Sequence, residues 1–376
     1  MLLPLLLWLA SLAVVVVASA LFVGWVRYLK PTDGDDMAHG VCLFEDYLAA
    51  VGEADLSPFV ALLDRATGEV VKTWRGELGW LRGCVSMGDR LYVVGWHAIY
   101  TFDRGLNVLK WVELGWRPYA VSFDGGYLYL AGAVDRDVNG DGFADVVWRI
   151  EKRTLDLDLV GYWEFYEPEL YRVWDSDRRR EHRLSLEAYD VAVNPATGDV
   201  WAVGHVGIYH GEAARSIYSS SLLVVLDRGL GVKRVAEYPR GRVGHLGGLG
   251  GVCFDDYGDA YVVGEQGVAK FDKGGDFLVA NRGVGGDKIA CVGGRVYVFG
   301  EKYVDGVYRH VLYVFDRELN LVDELILSRG VEADSYFLAG SPAFDGRSLY
   351  VAGHDLALGE GKARIVVYSI SAPTPA

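Results

Sequence analysis

Short apolar segments and turn-forming residues alternate along residues 39–370. The recurring unit is a strand of small apolar residues, a turn that often contains Gly or Asp, a second strand that ends in Gly, and a third strand that closes on Asp. The clearest copy, VCFDDYGDAYVVGEQGVAKFDKGGDF, runs from Val252 to Phe277 and alternates on both sides of its turn. Alternation with a period of two is typical of half-buried strands. The pattern predicts β-structure, and no stretch predicts a long soluble helix.

The glycine that ends the second strand occurs seven times, which predicts seven repeats. These glycines are Gly52, Gly95, Gly132, Gly204, Gly264, Gly300 and Gly353. Short sheets cannot bury both faces alone, and a closed radial stack protects their edges. We therefore predict an all-β, seven-bladed β-propeller over residues 39–370. The phrase of a turn, a Tyr-Val strand, a Gly and a Lys-Phe-Asp strand resembles SBBP and YVTN-type propeller repeats, a resemblance that implies the fold and no single activity.

The last repeat lacks an obvious outer strand. Its third strand is predicted at 365–370, and the tail SAPTPA at 371–376 offers no further one. If a signal peptide is removed, residues 21–29 could supply the missing strand. If the segment is retained, we expect the last blade to have three strands.

The N-terminal segment from Leu2 to Val26 carries no charged residue. About 20 such residues are enough for a helix to cross a membrane, so we predict a transmembrane anchor over residues 1–30, followed by an acidic linker over 31–38. The alternative is a signal peptide cleaved after the motif Ala18-Ser19-Ala20. Arg27 and Lys30 follow the span and would favour a cytoplasmic propeller, whereas the calcium-like loop described below favours the exterior. We expect a single-pass protein of the cell membrane with its propeller outside.

Composition narrows the classes of function. Hydrophobic residues make up 51% and aromatic residues 13% of 376 residues, which excludes a disordered chain. The net charge of -14 argues against nucleic acid as a partner. The chain has a single Gln, at position 266, and few Asn, a depletion of heat-labile amides that suits a thermophile.

The four cysteines lack metal-binding spacing and fall in predicted first strands. Packing in the core is the default interpretation for such residues. The alternative is a disulfide between Cys42 and Cys84 and another between Cys253 and Cys291, since each pair lies in adjacent blades and an exterior location permits oxidation.

A loop with oxygen-bearing side chains at alternate positions, Asp-x-Asn-x-Asp-Gly-x-x-Asp, begins at Asp137. It resembles the calcium loops of dockerin and of integrin-type propeller repeats. That resemblance implies side-chain ligands at Asp137, Asn139, Asp141 and Asp145, a carbonyl ligand at Phe143, and Asp135 as a further carboxylate. The alternative is a polar hairpin turn that needs no ion.

The residue after the second-strand glycine is Glu or His in five repeats, which places such residues at one end of the propeller. They are Glu53, His205, Glu265, Glu301 and His354. This ring resembles the set that a metal-dependent propeller lyase or lactonase gathers at its axis. Solvated strand ends are the ordinary alternative, and we expect a wide, acidic, solvated mouth. The segments between blades add polar and aromatic residues to the same end: His39, Arg82, Tyr119, Tyr189, His245, Lys288, Tyr166, Tyr171 and Trp174.

No hydrolase, Walker or haem motif occurs in the chain. We therefore predict a membrane-anchored propeller that binds a protein, peptide or glycan partner at this end and carries a structural calcium ion. The alternative is a metal-dependent lyase or hydrolase that uses the Glu/His ring.

Overall fold

The computed structural model describes residues 21–77, 79–138, 144–166, 182–210, 215–239, 246–327, 341–356 and 362–371. These residues form 28 strands and no helix. The strands assemble into seven four-stranded antiparallel sheets, so the predicted seven-bladed β-propeller is confirmed.

The seven blades follow one another in the order of the sequence, and one additional strand precedes the first blade. That strand is β1 (Phe22–Leu29). The first three blades are built from β2 (Asp36–Phe44), β3 (Tyr47–Ala54), β4 (Ser57–Asp64) and β5 (Val70–Arg75); β6 (Leu81–Met87), β7 (Arg90–Gly95), β8 (Ala98–Phe102) and β9 (Val108–Glu113); and β10 (Arg117–Asp124), β11 (Tyr127–Arg136), β12 (Asp145–Thr154) and β13 (Leu159–Phe165). The next three are built from β14 (His182–Val193), β15 (Val200–His210), β16 (Arg215–Leu226) and β17 (Val232–Pro239); β18 (Leu249–Phe254), β19 (Ala260–Gly264), β20 (Gly267–Phe271) and β21 (Phe277–Asn281); and β22 (Lys288–Val292), β23 (Arg295–Val304), β24 (Val307–Phe315) and β25 (Leu321–Ile326). The seventh blade contains β26 (Ala343–Phe344), β27 (Ser348–Leu356) and β28 (Ala363–Ser371).

Strand β1 completes the seventh blade from the other end of the chain. It pairs antiparallel with β28, from Phe22 opposite Ser371 to Leu29 opposite Ile365. The predicted helix is therefore wrong over its last residues, and so is the expectation of a three-stranded last blade, because residues 22–29 form its fourth strand. Pairing with β28 satisfies backbone groups that would otherwise form an open edge. Residues 1–20 lie outside the described part of the chain, within which no helix is long and apolar enough to span a membrane.

The core lies between neighbouring blades. Between blades 1 and 2, for example, Val60 and Leu62 of β4 pack with Leu91 and Val93 of β7, and all four are essentially inaccessible to solvent. Full burial of one such side chain contributes about 1.5–3 kcal/mol. Equivalent clusters fill the spaces between the other blades and hold the seven sheets at fixed positions around the axis.

A β-bulge explains the recurring glycine. In blade 1 the bulge lies between Ala38 and Gly40, opposite Gly52. A Cβ atom on Gly52 would lie 1.9 Å from the carbonyl oxygen of Met37, so no larger residue fits there. The same shift occurs in four further blades, where the extra residue of the first strand is Arg82, Tyr119, Tyr189 or Gly250. Bulges redirect side chains, and here they turn residues of the innermost strand toward one end of the axis.

Both cysteine pairs form disulfides. Cys42 is bonded to Cys84 and Cys253 to Cys291, with Cα separations of 5.9 Å and 5.6 Å. The default interpretation of the cysteines as unpaired core residues is therefore wrong. Each bond joins the innermost strands of two adjacent blades, 1 to 2 and 5 to 6.

Candidate functional site

The two ends of the propeller differ in what they carry. At one end of the propeller the second strand of each blade ends and the first strand of the next blade begins; we call this end the upper face. The turns between first and second strands lie at the other end, which we call the lower face. In blade 7, His354 lies at the upper end of β27 and Ser348 at its lower end. The five bulge residues and the residues after the strand-ending glycines lie at the upper face, which is the candidate site.

Blade 1 contributes a buried histidine–glutamate contact at the upper face. His39 Nε2 lies 3.5 Å from Glu53 Oε1, and the two residues are 8% and 6% exposed. Burial lowers the pKa of His39, an effect that the contact with Glu53 opposes. His354 of blade 7 is also buried, and its pKa falls to about 3 because burial and the nearby positive groups His39, His310 and Arg82 disfavour its charged form.

The prediction of a wide, solvated mouth is therefore wrong for three residues of the Glu/His ring. Glu53, His205 and His354 are each less than one-tenth exposed. Within the described chain, His39 Nδ1, His354 Nδ1 and Glu53 Oε2 are buried atoms without a hydrogen-bond partner.

Aromatic rings and one arginine form a continuous arc across blades 2 to 4, which we call the aromatic arc. Its members are Trp96, Trp80, Arg82, Tyr119, Tyr189 and His205. In its first half the rings of Trp96 and Trp80 meet edge to face at 4.0 Å between centroids. The guanidinium of Arg82 then lies 5.6 Å from the ring of Trp80 and 5.8 Å from that of Tyr119, which is cation–π distance.

The second half of the arc is fixed by a shared carboxylate. The ring of Tyr189 stacks on Tyr119 at 6.1 Å and on His205 at 5.1 Å. Both tyrosine hydroxyls donate to Glu187, at 3.2 Å from Tyr119 and 2.7 Å from Tyr189. Burial and the charge of Glu187 raise the pKa of Tyr119. The arc is thus held rigid by stacking on one side and hydrogen bonds on the other.

Below the arc the axis is narrow. A cavity of about 40 Å³ is lined by residues of the innermost strands, among them the small residues Gly40 and Ala120. Two charged residues, Asp190 and Lys288, also line this cavity. Asp190 is 5% exposed, accepts hydrogen bonds from the backbone amides of Val191 and Val252 at 3.0 Å, and has a pKa raised by burial. Lys288 Nζ donates to the carbonyl of Gly250 at 2.7 Å.

Acidic residues gather on the opposite side of the upper face. Burial, with the negative charges of Glu301 and Glu265, raises the pKa of Asp287 to about 7, against the opposing effect of Lys288. The predicted ring is therefore divided between a buried part on blades 1, 4 and 7 and an acidic part on blades 5 and 6. In the described part of the chain, no group of three or more His, Cys, Asp or Glu side chains is placed to hold a metal ion, so the geometry gives the metal-dependent alternative no support.

The predicted calcium loop is described only at its ends. Asp137 follows β11 and Asp145 begins β12, where it pairs with Arg136. Asn139, Asp141 and Phe143 lie outside the described residues. Asp135 forms an ion pair with Arg117 at 2.8 Å, so its carboxylate already has a partner. Among the other residues singled out from the sequence, His245, Tyr171 and Trp174 lie outside the described part, and Tyr166 is 46% exposed.

Sequence reasoning missed four residues of the site: Trp80, Glu187, Asp190 and Asp287. Alignment of the repeats on their glycines could have found Asp190 and Asp287. The positions equivalent to Asp190 hold Gly40, Gly83, Ala120 and Gly251 in four blades and Lys288 in a fifth, so charged residues stand out there. Trp80 and Glu187 give no such signal, since their roles depend on contacts with other blades.

Known structures share this fold. The chain superimposes on the WD40 domain of Neurospora crassa Pan2 with a TM-score of 0.58 at 11% identity, covering 93% of this chain and 95% of that one. A chain in the crystal structure of the mitotic checkpoint complex superimposes with a TM-score of 0.56 at 12% identity, covering 96% of this chain and 96% of that one. The Dos1 propeller superimposes with a TM-score of 0.51 at 12% identity, covering 93% of this chain and 95% of that one. No family of known sequences and no curated protein matches the chain. At these identities the similarity shows that the chain shares the β-propeller fold.

Proposed function

We propose that this protein is a propeller that binds a polypeptide partner at its upper face, with a segment of the partner lying along the aromatic arc. The arc itself carries the proposal. Trp, Tyr and Arg are the residues that contribute most to binding in protein interfaces, and they do so when they are clustered and held rigid. Trp96 ends the arc with 39% of its surface exposed.

A polypeptide fits the arc better than a sugar does. Sugars stack on open ring faces, but the rings of Tyr119 and Tyr189 cover one another and Arg82 covers Trp80.

Cross-linking in cells that produce the full chain tests this proposal. A partner captured by the unmodified protein should be captured equally by Tyr257→Ala, which removes a 67% exposed aromatic residue from the lower face. Capture by Trp96→Ala should fall about tenfold or more, the effect expected at an interface hot spot. Equal capture by both variants would contradict the proposal.

We also propose that residues 1–20 anchor the protein in the cell membrane, with the propeller on the exterior. Phe22 of β1 pairs with Ser371 of β28, and Ser371 pairs with Ser348 at the lower end of β27. The chain therefore enters the propeller at the lower face. An anchor there would turn the upper face away from the membrane. The two disulfides support an oxidising location. The full chain should remain with membranes after a carbonate wash, and a chain that lacks residues 1–20 should not; release of both would contradict the anchor.

The loop from Asp137 to Asp145 supports a structural calcium ion as a third proposal. An ion bound only by the folded protein raises its stability by mass action. Chelation should therefore lower the melting temperature, and added calcium should restore it. The variant Asp141→Ala should not respond to chelator. If the unmodified protein also fails to respond, the loop is a simple turn.

A further inference from the structure

We propose that Arg82 is the receptor for a carboxylate of the bound polypeptide, from an Asp or Glu side chain or a chain terminus that enters the axial mouth. This inference rests on the proposed function of the upper face. It concerns which chemical group of the partner is recognised there.

Arg82 is a partly buried arginine without an ion pair. Among the described residues, no carboxylate lies within salt-bridge distance of its guanidinium, and its Nε atom has no hydrogen-bond partner. In contrast, the two buried arginines of the described part of the chain are paired: Arg149 and Arg153 contact Glu151 at 2.6 Å and 2.7 Å. Burial of an unpaired charge is costly, so the exception at Arg82 points to a partner supplied from outside.

The guanidinium is also held ready for such a partner. The rings of Trp80 and Tyr119 pack against it, which limits its rotation. A fixed, planar guanidinium presents paired N–H groups that match the two oxygens of a carboxylate. Arg82 lines the axial cavity directly, next to Tyr119 and Tyr189.

Size and charge favour a carboxylate over a phosphate. The cavity of about 40 Å³ admits little more than a water molecule or one small planar group. Glu53 and Glu187 act on Arg82 electrostatically without pairing with it. Two such neighbours would repel a phosphate, which carries up to two charges near neutral pH, more strongly than a carboxylate with one.

A peptide array probes this site directly. The array presents 12-residue peptides with random flanks around a central Glu, Gln or phosphoserine, each with a free or an amidated C-terminus, and the full chain is applied to it. We expect Glu-centred peptides to bind about tenfold better than their Gln-centred counterparts, the difference typical of one charge-assisted pair. Arg82→Gln should abolish this preference and Arg82→Lys should weaken it. The control Arg347→Gln changes an exposed arginine of the lower face and should retain the preference.

The outcomes separate the two proposals. Peptides whose binding depends on Trp96 but shows no preference for Glu over Gln would refute the role of Arg82 and leave the binding face intact. No binding of any peptide would refute both. Preference for phosphoserine would replace the carboxylate with a phosphate, whereas preference for a free C-terminus would identify the source of the carboxylate. If Arg82→Gln fails to fold, as judged by its circular dichroism, Arg82→Lys and the preference of the unmodified protein decide the question.

Discussion

The indole Nε1 of Trp25 donates a hydrogen bond to the carbonyl oxygen of Arg65 at 3.0 Å. Trp25 belongs to β1, the outer strand of the last blade, and Arg65 follows β4 in the first blade. Arg27 adds a second bond from β1, to the carbonyl of Gly68 at 2.8 Å. The N-terminal strand therefore joins the two blades at which the ring closes.

Loss of this closure contact should destabilise the whole propeller. Trp25 packs on Tyr350 at 6.0 Å between centroids, and its ring is half-buried. We expect Trp25→Ala to lower the free energy of unfolding by about 2 kcal/mol, since it removes part of a large buried ring and one hydrogen bond. Denaturant unfolding measures this change. Phe22→Ala on the same strand, where the side chain is 58% exposed, is the control and should have little effect; equal losses would argue against a specific role of Trp25.

The disulfides should contribute to stability by restricting the unfolded chain. Cys42 and Cys84 are separated by 42 residues in sequence and Cys253 and Cys291 by 38. Closing loops of this length stabilises a protein by about 2–4 kcal/mol for each bond. Unfolding with and without a reductant should show this loss, and a variant with all four cysteines replaced by Ala should not respond to the reductant. Detection of four free thiols in the native protein would contradict the assignment.

Asp287 should make the protein less stable as the pH rises. Its pKa is about 7 in the folded state, against an ordinary value of 3.8. Between these values the folded protein holds a proton that the unfolded chain releases, so the stability from this group is full below pH 3.8 and is lost as the pH rises through 7. Asp287→Asn should remove this slope, which is about 1 kcal/mol per pH unit. Unfolding curves from pH 4 to 8 test the prediction, with Asp46→Asn, whose side chain is 92% exposed, as the control. An unchanged slope in Asp287→Asn would show that this carboxyl is not perturbed.

His354 should make the protein less stable as the pH falls. Its pKa of about 3 lies well below the ordinary 6.5, because burial disfavours the imidazolium. The stability from this group is therefore present above pH 6.5 and is lost as the pH falls toward 3. Each protein is compared with its own free energy of unfolding at pH 8. Between pH 6 and 4, we expect His354→Gln to lose less of that free energy than the unmodified protein loses. His97→Gln, at a less buried histidine of the same face, should follow the unmodified protein. Parallel pH profiles for all three proteins would rule out His354 as a source of acid sensitivity.

The repeat architecture could be predicted from the sequence because it depends on local pattern. Each strand shows alternation with a period of two, and each second strand ends at a glycine that a close carbonyl requires, as at Gly52 beneath Met37. Those glycines also marked which residues share the upper face. The pairing of cysteines by adjacent blades followed from the same alignment.

Three features were decided by the tertiary structure alone. Residues 22–29 are apolar enough for a helix, and only the open edge of β28 makes them a strand. The choice between paired and free cysteines depends on Cα separations near 6 Å, which no sequence pattern encodes. The aromatic arc brings Trp80, Tyr119 and Tyr189 together from three blades. The sequence determined what each blade contains because strands and turns are local, whereas blade closure fixed the contacts between blades, since these depend on distances across the ring.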